Sequence, residues 1–144
     1  MERATFDRMA EIDKDHWWFV ARRKIIDRLI RDQVPLPSDA HILEMGCGTG
    51  SNLALLQRFG AVDAVEPDDA ARELAAQRSG IAVKGGLLPD GVKLDDDRYA
   101  MIAMLDVLEH IPDDLGALVA LRPKLAPGGR LFLAVPAMPS LWSG

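Results

Sequence analysis

The residues predict an α/β fold: a doubly wound, mainly parallel sheet with helices on both faces. Three observations carry this expectation. Apolar runs of strand length alternate with helix-length segments from His41 onward. Short turns rich in glycine and proline join them, as in a parallel sheet built from crossover units. A glycine-rich turn, Gly46 to Gly50, directly follows the first apolar run, which puts it at the ligand-binding edge of such a sheet.

Taken in order, His16 to Gln33 carries Trp18, Ile25, Ile26, Leu29 and Ile30 at helical spacing. Pro35 and Pro37 end that helix, because proline has no amide hydrogen and disfavours helical backbone before itself. The division expected is a helical lid or cap segment, 1–37, and a sheet domain, 38–144. Ile42-Leu43 starts the first strand, and a helix from about Ser51 to Phe59 follows the glycine turn and closes on Gly60 as a C-terminal cap. Ala61 to Glu66 is the second strand. Pro67, Asp68 and Asp69 suit a helix N-terminus, and that helix runs to about Arg78. Ile81 to Val83 makes a short third strand and Ala100 to Leu105 a strongly apolar fourth. Asp113 to Leu125 is mostly helical, with Pro123 in its last turn, and Arg130 to Val135 is the fifth strand after Pro127-Gly128-Gly129.

Composition bounds the function. The 144 residues suit one core, with 49% hydrophobic and 27% charged residues. No apolar run approaches the ~20 residues of a membrane span, and Met1 to Ala10 has no apolar signal region, so a cytoplasmic location is expected. The single cysteine, Cys47, excludes an internal disulfide and a multi-cysteine zinc site. A net charge of −5 argues against bulk nucleic acid as a partner. Arg22, Arg23, Lys24, Arg28 and Arg31 crowd one helix; they read as a solvated face, with a contact patch for an acidic partner as the alternative.

The chemistry concentrates in Glu44-Met45-Gly46-Cys47-Gly48-Thr49-Gly50. Glycines after a strand let backbone approach a ligand, and a helix N-terminus offers free N–H groups. Ser51 stands where a dinucleotide fingerprint wants its last glycine, and no Gly-Lys-Ser/Thr follows. Glu66 lies about 20 residues past Gly46, the offset at which a Rossmann-type site places an acid on ribose hydroxyls.

With Glu66, the acid-x-Gly-x-Gly-x-Gly pattern resembles the class I S-adenosylmethionine-dependent methyltransferases. Leu105-Asp106-Val107-Leu108-Glu109-His110 is similar to the family's motif at the end of the fourth strand, and Leu125-Ala126-Pro127-Gly128-Gly129-Arg130-Leu131 to its turn into the fifth. His16-Trp17-Trp18-Phe19 with Arg22-Arg23 resembles the N-terminal lid helix of one bacterial branch of the methyltransferase type 11/12 kind. The resemblance implies a Rossmann-like domain that binds S-adenosyl-L-methionine and methylates an O or N of a small molecule. It places Gly46, Cys47, Gly48 and Gly50 along the methionine part of the cofactor, with Glu44 helping through water. It puts Glu66 on both ribose hydroxyls with Pro67 beside it, and Leu105 and Asp106 facing the methionine amine.

Two departures from the family pattern stand out. Val83-Lys84-Gly85-Gly86-Leu87 has no acid for the adenine amino group before Asp90, which leaves the contact to the base open, with backbone groups as one alternative. The family's two strands after the fifth are missing, so the chain is expected to be a truncated form whose open fifth strand invites a homodimer. Trp142 is a candidate for the acceptor region.

Asp106, Glu109 and His110 are the candidate catalytic residues, and three readings stay open. Glu109 and His110 brace the loop before Pro112, or His110 acts as a general base, or the three hold a divalent metal. No metal is assigned. Cys47 is expected to be buried and unreactive beside Glu44 and Glu66. Trp17, Trp18 and Phe19 serve as core or as lid. A nicotinamide-dependent oxidoreductase and a non-catalytic cofactor-binding or partner-binding module are the competing functions.

Overall fold

A computed structural model describes residues 3–137. Trp142 lies outside the described residues. The elements run α1 (Arg3–Asp15), α2 (Trp17–Gln33), β1 (His41–Met45), α3 (Leu53–Leu56), β2 (Ala61–Val65), α4 (Asp69–Ser79), β3 (Val83–Lys84), β4 (Tyr99–Leu105), α5 (Asp114–Leu121) and β5 (Leu125–Ala134), with single 3-10 turns at Leu108–His110 and Arg122–Lys124.

The five strands form one sheet in the order β3-β2-β1-β4-β5, every pair parallel. The order reverses between β1 and β4, which is the switch point where such sheets open a crevice at the carboxyl ends of the strands. Strand alternation divides the core in two. Ile42, Met101, Ala103 and Leu105 face Ile26 and Ile30 of α2 and Leu55 and Leu56 of α3. Leu43, Met45, Val65, Ile102 and Met104 face Leu121 of α5 and the loop carrying Leu88, Val92 and Leu94. Cys47, Leu53, Ala64 and Ala75 fill the space under α4. Helices therefore cover both faces, as the residue pattern predicts, and no helix among the described residues is long and apolar enough to cross a membrane.

Local chemistry explains most boundaries. Asp68 caps α4 by accepting from the amides of Ala70 at 3.0 Å and Ala71 at 3.1 Å. Asp113 does the same for α5 through Gly116 at 2.9 Å. Three expectations need correction. The helix expected over Ser51 to Phe59 shrinks to Leu53–Leu56, because turns occupy both flanks. Gly60 is no left-handed cap: its φ is not positive, and a Cβ there would meet the Ala40 carbonyl oxygen at 2.3 Å, so close approach to β1's entry requires glycine. β5 starts at Leu125, not Arg130, because Leu125 already pairs with Tyr99 and the Pro127–Gly129 stretch is absorbed as an irregularity before Arg130 pairs with Met101.

α1 was not expected as a separate helix. It packs against α2 and α4, and Arg23 of α2 donates to the carbonyls of Asp13 at 2.7 Å and Lys14 at 3.0 Å, filling acceptors that a helix end leaves open. Trp17 and Trp18 are not core residues; they are 73% and 45% exposed.

Candidate functional site

The glycine turn leaves β1 and doubles back over the end of β2. The amides of Gly46 and Cys47 both donate to the carbonyl of Val65, at 2.8 and 3.1 Å. Gly46 has φ 68°, and a Cβ would lie 2.6 Å from a methyl of Val107, so any side chain there meets both strain and collision. Gly48, at φ 54°, has nothing within 4 Å of a built Cβ: its open side is a space that a side chain would fill. Gly50 packs tightly on Ala75 of α4 and lines neither of the two cavities at the turn.

Two cavities meet over this turn, with Gly46 and Asp106 in the walls of both. The first, about 370 Å³, lies between Glu66-Pro67, Gly86 to Leu88, and the Val107 to Pro112 segment that includes His110. The second, about 400 Å³, lies between Cys47, Gly48 and Asn52 on one side and Ile12, Phe19 and Arg22 of the N-terminal helices on the other, with Leu105 at its floor. The structure thus brings together Gly46, Cys47, Gly48, Glu66, Pro67, Leu105, Asp106 and His110. Glu109 is exposed and lines neither cavity, and Glu44 is buried beneath the turn rather than in a wall.

Two carboxylates, Glu66 and Asp106, stand at the cavities and a third, Glu44, lies beneath the turn. Glu66, at the end of β2, is buried and accepts from the amides of Gly48 at 2.8 Å and Asp68 at 3.0 Å, one on each oxygen. Each oxygen keeps a lone pair for a further donor. Glu44 is 1% exposed; Asn52 donates to its Oε1 at 3.2 Å, while its Oε2 has no partner. Burial pushes the Glu44 carboxyl up to about 8, against smaller downward pulls from Asn52 and Arg22. Asp106 ends β4 in the left-handed region, φ 59°, with its amide tied to the Ala134 carbonyl at 2.8 Å. Burial raises its carboxyl above the usual range, and Glu109 adds to that, while Arg22 and His110 oppose it.

Arg22 Nη2 lies 2.6 Å from Asp106 Oδ2, but off the direction of its N–H, so the contact is ionic without a directed hydrogen bond. The basic cluster on α2 is therefore not a uniform solvated face. Arg28 and Arg31 pair with Asp32 and Asp27 on the surface, whereas Arg22 and Arg23 turn inward. Cys47 is buried, and burial, followed by the charges of Glu44 and Glu66, pushes its thiol well above the ordinary range. Among the described residues, no cluster of three or more His, Cys, Asp or Glu is placed to hold a metal ion, so Asp106, Glu109 and His110 form no ready ligand set.

Residue patterns did not point to Asn52 or the α1 residues of the second cavity, and they named Arg22 only within the basic cluster and the lid motif. Asn52 occupies the capping position of α3 yet makes no cap, turning to Glu44 instead.

Comparisons with known proteins agree with this arrangement. The model of a family described as a methyltransferase domain matches residues 16–143. A ubiquinone biosynthesis O-methyltransferase of Cereibacter sphaeroides is 31% identical over 104 residues, covering 68% of this chain and 42% of that protein. One from Xylella fastidiosa is 33% identical over 111 residues, covering 73% and 45%. The chain thus spans less than half the length of these two relatives. In fold, it superposes on a Methanococcus maripaludis protein assigned as an S-adenosyl-L-methionine-dependent methyltransferase with a TM-score of 0.80, at 17% identity, over 93% of this chain and 64% of the other. A SAM-dependent methyltransferase from Aquifex aeolicus gives 0.66 at 15% identity, over 92% and 72%. With its glycine turn, its acid-ended second strand and a family match over most of its length, the chain belongs to the methyltransferase domain family.

Proposed function

We propose that this chain binds S-adenosyl-L-methionine and directs methyl transfer to an oxygen of a small-molecule acceptor. The observation that carries the reading is the junction of two cavities at Gly46 and Asp106, with Glu66 in one wall, Asp106 in both and Glu44 buried beneath the turn. A nucleoside with a cationic amino-acid arm needs two compartments and carboxylates between them. The orphaned Oε2 of Glu44 and the open side of Gly48 fit that group as well. The relatives' names, O-methyltransferase, favour oxygen over nitrogen.

When bound, the cofactor supplies an electrophilic methyl group on a sulfonium. Glu66 uses its free lone pairs for the two ribose hydroxyls, with Pro67 against the same side. Gly86 to Leu88, Ile111 and Pro112 enclose the base, which backbone groups hold in place of an acid. Gly46, Cys47 and Gly48 bring backbone and space to the amino-acid arm, and Gly50 holds the turn against Ala75. Glu44, Leu105 and Asp106 take its ammonium group, Glu44 through water. His110 faces the cavity beside Asp106 and accepts the proton that the acceptor hydroxyl loses, at an imidazole nitrogen, with Asp106 and Glu109 orienting it. Alignment and exclusion of water supply the remaining acceleration. Residues 1–37 act as the cover over a cofactor domain at 38–144, in the cytoplasm. The outer edge of β5, with Leu133 and Val135 exposed, is the surface for a homodimer; light scattering that gives a monomer mass at all concentrations would remove that part.

Calorimetric titration with S-adenosyl-L-methionine and, separately, NADH tests the reading. Saturable binding of the first alone, weakened by Glu66→Ala and by Gly48→Val, is expected. Binding of NADH alone would replace the reading with an oxidoreductase.

A further inference from the structure

We infer that Asp13 and Arg78 are positioning residues that tie the α1 cover to the glycine turn, so that cover and turn hold the amino-acid arm of the cofactor as one unit. The inference rests on the cofactor reading above. Asp13, at the end of α1, is 5% exposed, and a carboxylate that deep requires a partner. It finds one 65 residues away: Arg78 Nη2 donates to Oδ1 at 2.9 Å and Nη1 to Oδ2 at 3.2 Å. The same Nη1 donates to the carbonyl and to the hydroxyl of Thr49, both at 3.1 Å.

Thr49 sits between Gly48 and Gly50, so a single guanidinium from α4 grips the cover and the turn together. The planar fork of arginine suits this divided task, whereas a lysine ammonium presents its three donors from a single nitrogen. Ile12 and Asp13 then wall the 400 Å³ cavity opposite Gly48. Neither Asp13 nor Arg78 reaches the 370 Å³ cavity beside Glu66 and Pro67. Loss of the pair therefore frees the cover from the amino-acid compartment and leaves the nucleoside compartment in place. The two residues discriminate ligands by their amino-acid arm.

The test compares the affinities of S-adenosylhomocysteine, which keeps that arm, and 5′-methylthioadenosine, which lacks it. In Asp13→Asn and Arg78→Lys, the first ligand is expected to weaken by about tenfold or more and the second by less than about threefold. A purely structural role would weaken both alike. In the unaltered chain, S-adenosylhomocysteine is expected to slow hydrogen exchange of the amides at 10–15, and 5′-methylthioadenosine is not; this readout holds even if a variant folds poorly. Equal weakening of the two ligands, or α1 exchange indifferent to S-adenosylhomocysteine, overturns the inference. Failure of the unaltered chain to bind either nucleoside overturns the cofactor reading itself.

Discussion

Two carboxylates stand one register step apart on neighbouring strands and meet opposite fates. Asp63 of β2 is paired across from Leu43, and Glu44 of β1 is paired across from Ala64, so their side chains leave opposite faces of the sheet. Asp63 is part-exposed and takes two donors on one oxygen: the Tyr99 hydroxyl donates to its Oδ2 at 2.7 Å and Arg98 Nε at 3.3 Å. Tyr99 is held firmly in its hydroxyl form by burial and by that bond. Glu44 is more deeply buried, has one neutral donor, and keeps an oxygen with none. An unpaired buried oxygen costs about 1–3 kcal/mol. The contrast separates a carboxylate that stabilises the sheet from one that the sheet carries at a cost, and only the second lies under the glycine turn.

The comparison breaks first at the turn above Glu44. Gly46→Ala faces both a left-handed backbone and the Val107 methyls, and is expected to destabilise by about 3 kcal/mol or more in urea unfolding. Gly48→Ala meets only the backbone strain, about 1–2 kcal/mol, yet weakens S-adenosyl-L-methionine in calorimetry because its methyl enters the open side. Equal effects of the two on stability would show that Val107 yields and that the turn is looser than its contacts.

Asp63→Ala sharpens the other half. It leaves the Tyr99 hydroxyl and Arg98 without their acceptor and is expected to cost about 1–3 kcal/mol, while the cofactor affinity of the folded fraction stays unchanged. A specific loss of affinity would connect the two faces of the sheet. His110→Ala is the smallest in stability, within about 0.5 kcal/mol for an exposed side chain. If His110 is the base, turnover by a chain extended to family length falls by about 10²–10⁴; an unchanged rate would leave it as a loop brace.

How much of this was legible in the residues follows from range. Pro67 to Asp69 at a helix N-terminus, Glu66 at the end of the second strand and Gly46 to Gly50 as a turn after the first strand are local patterns, and all appear where spacing placed them. α1 was not legible as a separate helix although its segment is amphipathic at helical spacing, because it is polar overall with few large apolar residues, and its hold on the domain comes from Arg78, 65 residues away. Gly60 carried a cap signature but answers to the Ala40 carbonyl, a contact between segments. Trp17 and Trp18 have core character by type, and their exposure depends on which helix face α1 and the sheet leave open. In the site, the carboxylates were legible; the inward turn of Arg22 and the diversion of Asn52 to Glu44 were not, since both are choices of side-chain direction.

The most direct measurement is the stability and cofactor affinity of Glu44→Gln across pH. A carboxyl raised to about 8 in the folded chain, from an ordinary value of 4.5, favours folding in its neutral form. That contribution is complete below pH 4.5 and is lost as pH rises towards 8. The amide keeps the neutral shape, so the variant is expected to unfold at nearly the parent temperature at pH 4.5 and at a higher temperature at pH 8, while S-adenosyl-L-methionine binds more weakly. A variant no more stable at pH 8, or one that binds the cofactor as tightly as the parent, would contradict the claim that Glu44 is kept buried and half-paired for the ligand.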